Sequence, residues 1–208
     1  MRQTVLIVAA SAVLLAAGGI ALRSLLRSQA RSAEVERLVE HARELARSEQ
    51  GLSSAAIELQ RALALDPDSV PALIERGEVC LRLARLDESI AHLRHAVVVA
   101  ERTGADGRAR AQLVLARSLM QRYRGSSAEE DFRGAHNAFL AAQHDPAWSA
   151  EALEGRATLF LEKGRNRNVE KALALFDEFL RLHSGHPLEP GIREFVDQLR
   201  GRSAADGG

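Results

Sequence analysis

Small and apolar residues recur at three- and four-residue spacing along most of the chain, and short polar turns interrupt them. In "AAIELQRALALDPDSVPAL" (Ala55 to Leu73) one such run meets Asp-Pro-Asp-Ser and a second begins at once. Pro67 lacks an amide donor and biases Asp66 out of the helical region, whereas Ser69 is a good N-cap and Pro71 fits a first turn. The stretch therefore predicts a helix, a tight turn and another helix.

The pattern returns. A step of 34 residues carries Ala55 to Ser89, Ala56 to Ile90, Leu59 to Leu93, Ala62 to Ala96 and Leu63 to Val97. "GAHNAFLAAQHDPAW" (134–148) repeats the grammar, and "EKALALFDEFLRLHSGHP" (170–187) repeats it more loosely, with Ala172, Phe176 and Phe179. Each of these helices has a partner before it, marked by Leu38, Ala42 and Leu45; Leu73, Gly77 and Cys80; Leu113, Ala116 and Leu119; and Leu153, Ala157 and Phe160. Small residues at these points let two antiparallel helices approach closely. Asp87 stands where it would cap one second helix, and Ser127 with Glu130 has capping-box spacing before another.

The segment from Val70 to Thr103 resembles a tetratricopeptide repeat (TPR): Leu73, Gly77, Cys80, Ser89, Leu93 and Ala96 match its order of large and small residues, with Glu101 in the place of its proline. The other units are similar but longer, with insertions near "EQGLSS", "YRGSSAEED" and "GRNRNVEK", and the resemblance covers residues 33–187. It implies an all-α, right-handed solenoid of about four helix pairs, at 33–68, 69–103, 108–147 and 149–187. A capping helix at 188–200 is expected to cover the last pair through Ile192, Phe195, Val196 and Leu199, and residues 201–208 to form a disordered tail.

The N-terminus is of another kind. "TVLIVAASAVLLAAGGIAL" (Thr4 to Leu22) has no charge and approaches the ~20 residues that cross a bilayer. A transmembrane anchor within residues 1–22, followed by a basic linker at 23–32, is the expectation. A cleaved secretory signal with small residues at Ala17 and Gly19 is the rival. Arg23, Arg27, Arg31 and Arg37 follow the run and only Arg2 precedes it, which favours repeats on the cytoplasmic side over the periplasmic one.

Composition narrows the function. Lys and Arg number 28, as do Asp and Glu, so the chain lacks the basic excess of a nucleic-acid binder. It has no phosphate loop, His-Glu-x-x-His, Cys pair or Gly-x-Ser-x-Gly, and no enzymatic activity or cofactor is expected. His92 with His95 and His183 with His186 have the spacing to share a helix face, but neither pair has a cysteine at a matching offset. They are expected on the solvated surface, and Cys80 in the packed core.

What remains is a surface. In the TPR family the first helices of successive pairs line a groove for proteins or peptides. By resemblance, that groove would here be lined by Val39, Arg43 and Arg47; Ile74, Glu78, Leu81 and Arg82; Leu113, Arg117, Met120 and Gln121; and Glu154, Thr158 and Glu162. Arginines dominate the first three sets and glutamates the last, so the groove is expected to be electrically graded, with Arg82 and Arg117 bearing on one ligand. The expected function is that of a membrane-tethered bacterial TPR scaffold in a cell-envelope assembly, with a secreted co-chaperone-like protein or a metal carrier using the His pairs as alternatives.

Overall fold

A computed structural model describes residues 26–206 of the backbone and side chains through residue 201. The expected anchor at 1–22 lies outside the described residues. Among those described, no helix is long and apolar enough to cross a membrane, and all the regular structure is helical.

The first helix, α1, is described over 26–45. It is followed by α2 (Leu52–Leu65), α3 (Val70–Arg82), α4 (Leu86–Thr103), α5 (Arg108–Ser126), α6 (Glu129–Gln143), α7 (Ser149–Leu159), α8 (Val169–Leu182) and α9 (Glu189–Asp206). Neighbours in sequence pack on one another, and α3 also touches α5, as α5 touches α7. The first members of the pairs thus stand side by side, giving an array of TPR-like helix pairs.

The turns follow from their residues. At the first junction α2 stops at Leu65 with Asp66 extended, and the Ser69 hydroxyl accepts from the Ala72 amide, with Pro71 in the first turn of α3. Gly104 ends α4 in the left-handed region at φ 68°, where the absence of a β-carbon removes the strain. Asn168 caps α8 by accepting from the Lys171 amide at 2.8 Å. The "EQG" insertion forms a short 3-10 turn at Glu49–Gly51, capped by Ser48.

Several expectations are corrected. Within the expected linker, residues 26–32 are helical and continuous with the first repeat's helix, and 26–33 are exposed. Asp87 does not cap α4: Arg85 holds the cap position and Asp87 lies inside the first turn, where its charge still favours the helix N-terminus. Ser127 and Glu130 form no capping box, because Ser127 is left-handed at φ 54° and terminates α5, leaving Ala128 at the cap of α6. The Ser126 hydroxyl accepts from the Ala128 amide instead. The C-terminal helix continues beyond residue 200 to Asp206.

The core is built in stages. Val35, Leu38 and Ala42 of α1 pack with Leu52, Ala55 and Leu59 of α2. Leu73 and Ile74 meet Ala96 and Val97. From Leu93 onward a third cluster runs through Leu113, Phe139, Leu153 and Phe179 to Ile192 and Val196 of α9. Burying side chains of this size contributes about 1.5–3 kcal/mol each. The final helix covers the apolar side of α8 but not with every residue expected: Ile192 and Val196 are buried, Leu199 is half-buried, and Phe195 is 43% exposed.

Candidate protein-binding face

The face formed by α1, α3, α5 and α7 carries most of its charge in internal pairs. Glu75, only 7% exposed, accepts from Arg43 Nε at 2.7 Å and from Arg110 at 2.9 Å. Arg110 also donates to Glu78 at 2.8 Å, and Arg43 to Glu40 at 3.1 Å. This ladder ties α1, α3 and α5 together, and the carboxylates beside Arg43 and Arg110 raise both guanidinium pKa values against the opposing effect of burial, which is the larger single influence. Arg82 reaches back to Glu49 at 2.5 Å and to the Ala46 carbonyl. Arg124 holds Glu162 at 2.7 Å.

The groove residues expected from the sequence therefore separate into kinds. Ile74, Leu113 and Met120 are buried, because the side-by-side packing of α3 with α5 and α5 with α7 draws these positions into the core between units. Val39 is buried as well, at the floor of a cleft. Arg43, Glu78, Arg82 and Glu162 are committed to the pairs above. Arg47 and Gln121 are exposed, Arg117 is exposed in a cleft, and Thr158 donates to Glu154 at 3.0 Å. Arg82 and Arg117 line different recesses. The expected gradient is largely neutralised: among the described residues, Arg47, Arg117, Glu151 and Glu154, like Glu36, are face charges without an ion pair, whereas the others named above are paired.

Two clefts open on this face. One, of about 540 Å³, lies between α1, the N-terminal end of α3 and the C-terminal end of α4, with Val35, Val39 and Val70 among its apolar residues and Glu36, Asp66 and Asp106 among its acidic ones. The other, of about 750 Å³, lies at the far end of the array, where α5 and α7 meet α8 and α9. Its apolar wall is Phe176, Leu188, Ile192 and Phe195; its polar wall is Arg117, Glu151, Glu154 and Thr158. The Phe195 ring meets Phe176 of α8 edge-on at 5.6 Å, so it covers α8 with one edge and lines the cleft with its exposed part. Leu188 is 40% exposed at its margin.

Sequence reasoning missed Glu75, Arg110 and the α9 wall. Arg110 lies 35 residues beyond Glu75, one repeat further, so only a face-by-face alignment of the repeats could have paired them.

Of the four histidines expected on a solvated surface, His95 is exposed and the other three are half-buried. His92 is half-buried, and burial, with Arg76 nearby, lowers its pKa against the opposing Glu88. His95 is exposed and shares Asp68 with Arg102, whose hydrogen bond is the main cause of a depressed Asp68 carboxyl. His183 and His186 both lie against Phe179. Among the described residues, no group of three or more His, Cys, Asp or Glu is placed to hold a metal ion. Cys80 is fully buried with Sγ 3.8 Å from Glu88, and burial pushes its thiol pKa up. A thiol so placed is poorly disposed to ionise.

A solved structure of pilF from Pseudomonas aeruginosa superposes on this chain with a TM-score of 0.63 at 18% identity, covering 86% of this chain and 79% of that one. Two looser likenesses are YrrB, described as a TPR protein with an unusual peptide-binding site (TM-score 0.33, 17% identity, 76% and 90% covered), and a de novo designed helical repeat protein (TM-score 0.30, 18% identity, 84% and 96% covered). At these identities the likeness is one of fold, an all-helical TPR-like array. No protein-family model matches the sequence, and no curated protein matches it.

Proposed function

We propose that the protein is a membrane-tethered TPR scaffold that holds a partner protein on the face formed by α1, α3, α5 and α7, as part of a cell-envelope assembly. The observation that carries this is the far cleft: a recess of about 750 Å³ with exposed Phe195 and Leu188 on one side and unpaired charges on the other. Partly exposed aromatic and aliphatic residues beside polar groups are what protein interfaces use as anchors. The tether rests on the uncharged run from Thr4 to Leu22.

The test is site-specific. A photo-reactive residue at Thr158, in the cleft, should crosslink a partner in intact cells, and the same residue at the exposed Arg94 of α4 should not. Fractionation of the full chain against one lacking residues 1–22 tests the tether. Equal crosslinking from both positions, or full-length protein recovered free of membranes, would reject the corresponding half of the proposal.

A further inference from the structure

The far cleft also indicates what kind of segment it takes. Glu151 and Glu154 are three residues apart on α7, so both project on one side of that helix, and both line the cleft. Arg117 of α5 lines it as well, yet neither glutamate is within 4.0 Å of a cationic group among the described residues, and Glu154 accepts only the Thr158 hydroxyl. Elsewhere on the same face the structure behaves otherwise: Glu75, Glu78 and Glu162 each hold an arginine of a neighbouring unit. With Glu151 and Glu154 lining it against the single guanidinium of Arg117, the cleft has more carboxylates than guanidinium groups opposite its apolar wall.

We infer that this cleft binds a cationic amphipathic segment of a partner protein. Apolar side chains of the segment would lie on Phe176, Leu188, Ile192 and Phe195, and a lysine or arginine would sit between Glu151 and Glu154. This rests on the face being the working surface, and it adds the partner's chemistry. Charge-assisted hydrogen bonds to two carboxylates are stronger than neutral ones and select against an acidic segment, which the same glutamates repel. Arg117 opposes the cation and contributes selectivity against placing the basic residue at the α5 side.

The experiment is a selection of twelve-residue peptides displayed on phage against the full chain in detergent micelles, followed by titration of the recovered peptides. Recovered sequences should combine Lys or Arg with apolar residues. Their affinity should fall at least tenfold for Glu151→Gln with Glu154→Gln, should fall as far for Phe195→Ala, and should rise severalfold for Arg117→Gln, with circular dichroism unchanged in each variant. Peptides enriched in Asp or Glu, displaced by Phe195→Ala and weakened by Arg117→Gln, would overturn the cationic ligand and leave the working face intact. Selection that returns only peptides indifferent to all of these variants would overturn both.

Discussion

Gly77 of α3 lies so close to Leu93 of α4 that a β-carbon on the glycine would collide with the Leu93 side chain. Gly155 of α7 has the same relationship with the Phe139 ring of α6. In each case the missing side chain, not a turn, is what the position needs, and the large partner is fully buried. Gly77→Ala and Gly155→Ala should each cost about 1–3 kcal/mol through overpacking, despite the gain in helix propensity. Chemical denaturation of the full chain measures this, and an unchanged midpoint would show that the helices can separate without loss.

Leu93 and Ala96 are both completely buried. Leu93→Ala should cost roughly 2–5 kcal/mol by leaving a cavity, and Ala96→Arg should be worse because a long charged side chain has no room there. His95→Ala, at an exposed position bonded to Asp68, should change stability by about 0.5 kcal/mol or less. Thermal melts of the three variants rank them directly.

Ala84 is left-handed at φ 56° between α3 and α4, a conformation that strains any residue with a β-carbon. Ala84→Gly should therefore stabilise the fold by about 0.5–1 kcal/mol, offset in part by the greater freedom of glycine when unfolded. A lower melting temperature would contradict the turn geometry.

Glu75→Ala leaves Arg43 and Arg110 facing each other's neighbourhood without their shared acceptor. The guanidinium side chains are 41% and 29% exposed, so solvent screens part of the loss, and a cost of roughly 1–3 kcal/mol is expected. Arg82→Glu should loosen the α1–α2 corner at Glu49 but leave peptide capture in the far cleft unchanged, because Arg82 lies in another recess. Comparing Arg82→Glu with Arg117→Glu in the same titration separates the two.

His92 and His136 are both lowered below the usual histidine value, mainly by burial, with Arg76 near the first and Arg156 and Lys171 near the second. A folded pKa below the unfolded one means that the unfolded chain takes up the proton first. The neutral form's contribution to stability is complete above about pH 7 and is lost as pH falls through about 6.5 toward the folded values. Melting temperatures taken between about pH 7.5 and 5.5 should fall less steeply in His136→Gln than in the parent.

Much of the array could be read from the chain because its signals are local. Pro67 with Ser69 marks a turn, and Leu59 with Leu93 marks equivalent core positions one unit apart; both depend on neighbours within a few residues or on a fixed period. The face was less legible. Whether Ile74 or Leu113 points to solvent depends on how tightly one unit packs on the next, and helical periodicity within one unit does not encode that. Whether Arg82 or Arg117 is free depends on partners 33 or more residues away, as Glu49 is from Arg82. Phe195 shows the same limit: its spacing fits a buried stripe, and only its place between α8 and the cleft distinguishes it from Val196.

The described part of α1 runs unbroken ahead of Val35, its first buried residue. Residues 26–33 are helical and stand exposed, so this shaft continues the axis of the packed part of α1. Each residue inserted there would advance the entering chain by about 1.5 Å and rotate it by about 100° around the shaft, whereas about seven residues, two full turns, would restore nearly the original bearing. Length in this segment is thus an angular setting first and a distance second: one extra residue would swing both clefts to a new heading, and seven would move them outward with their heading kept.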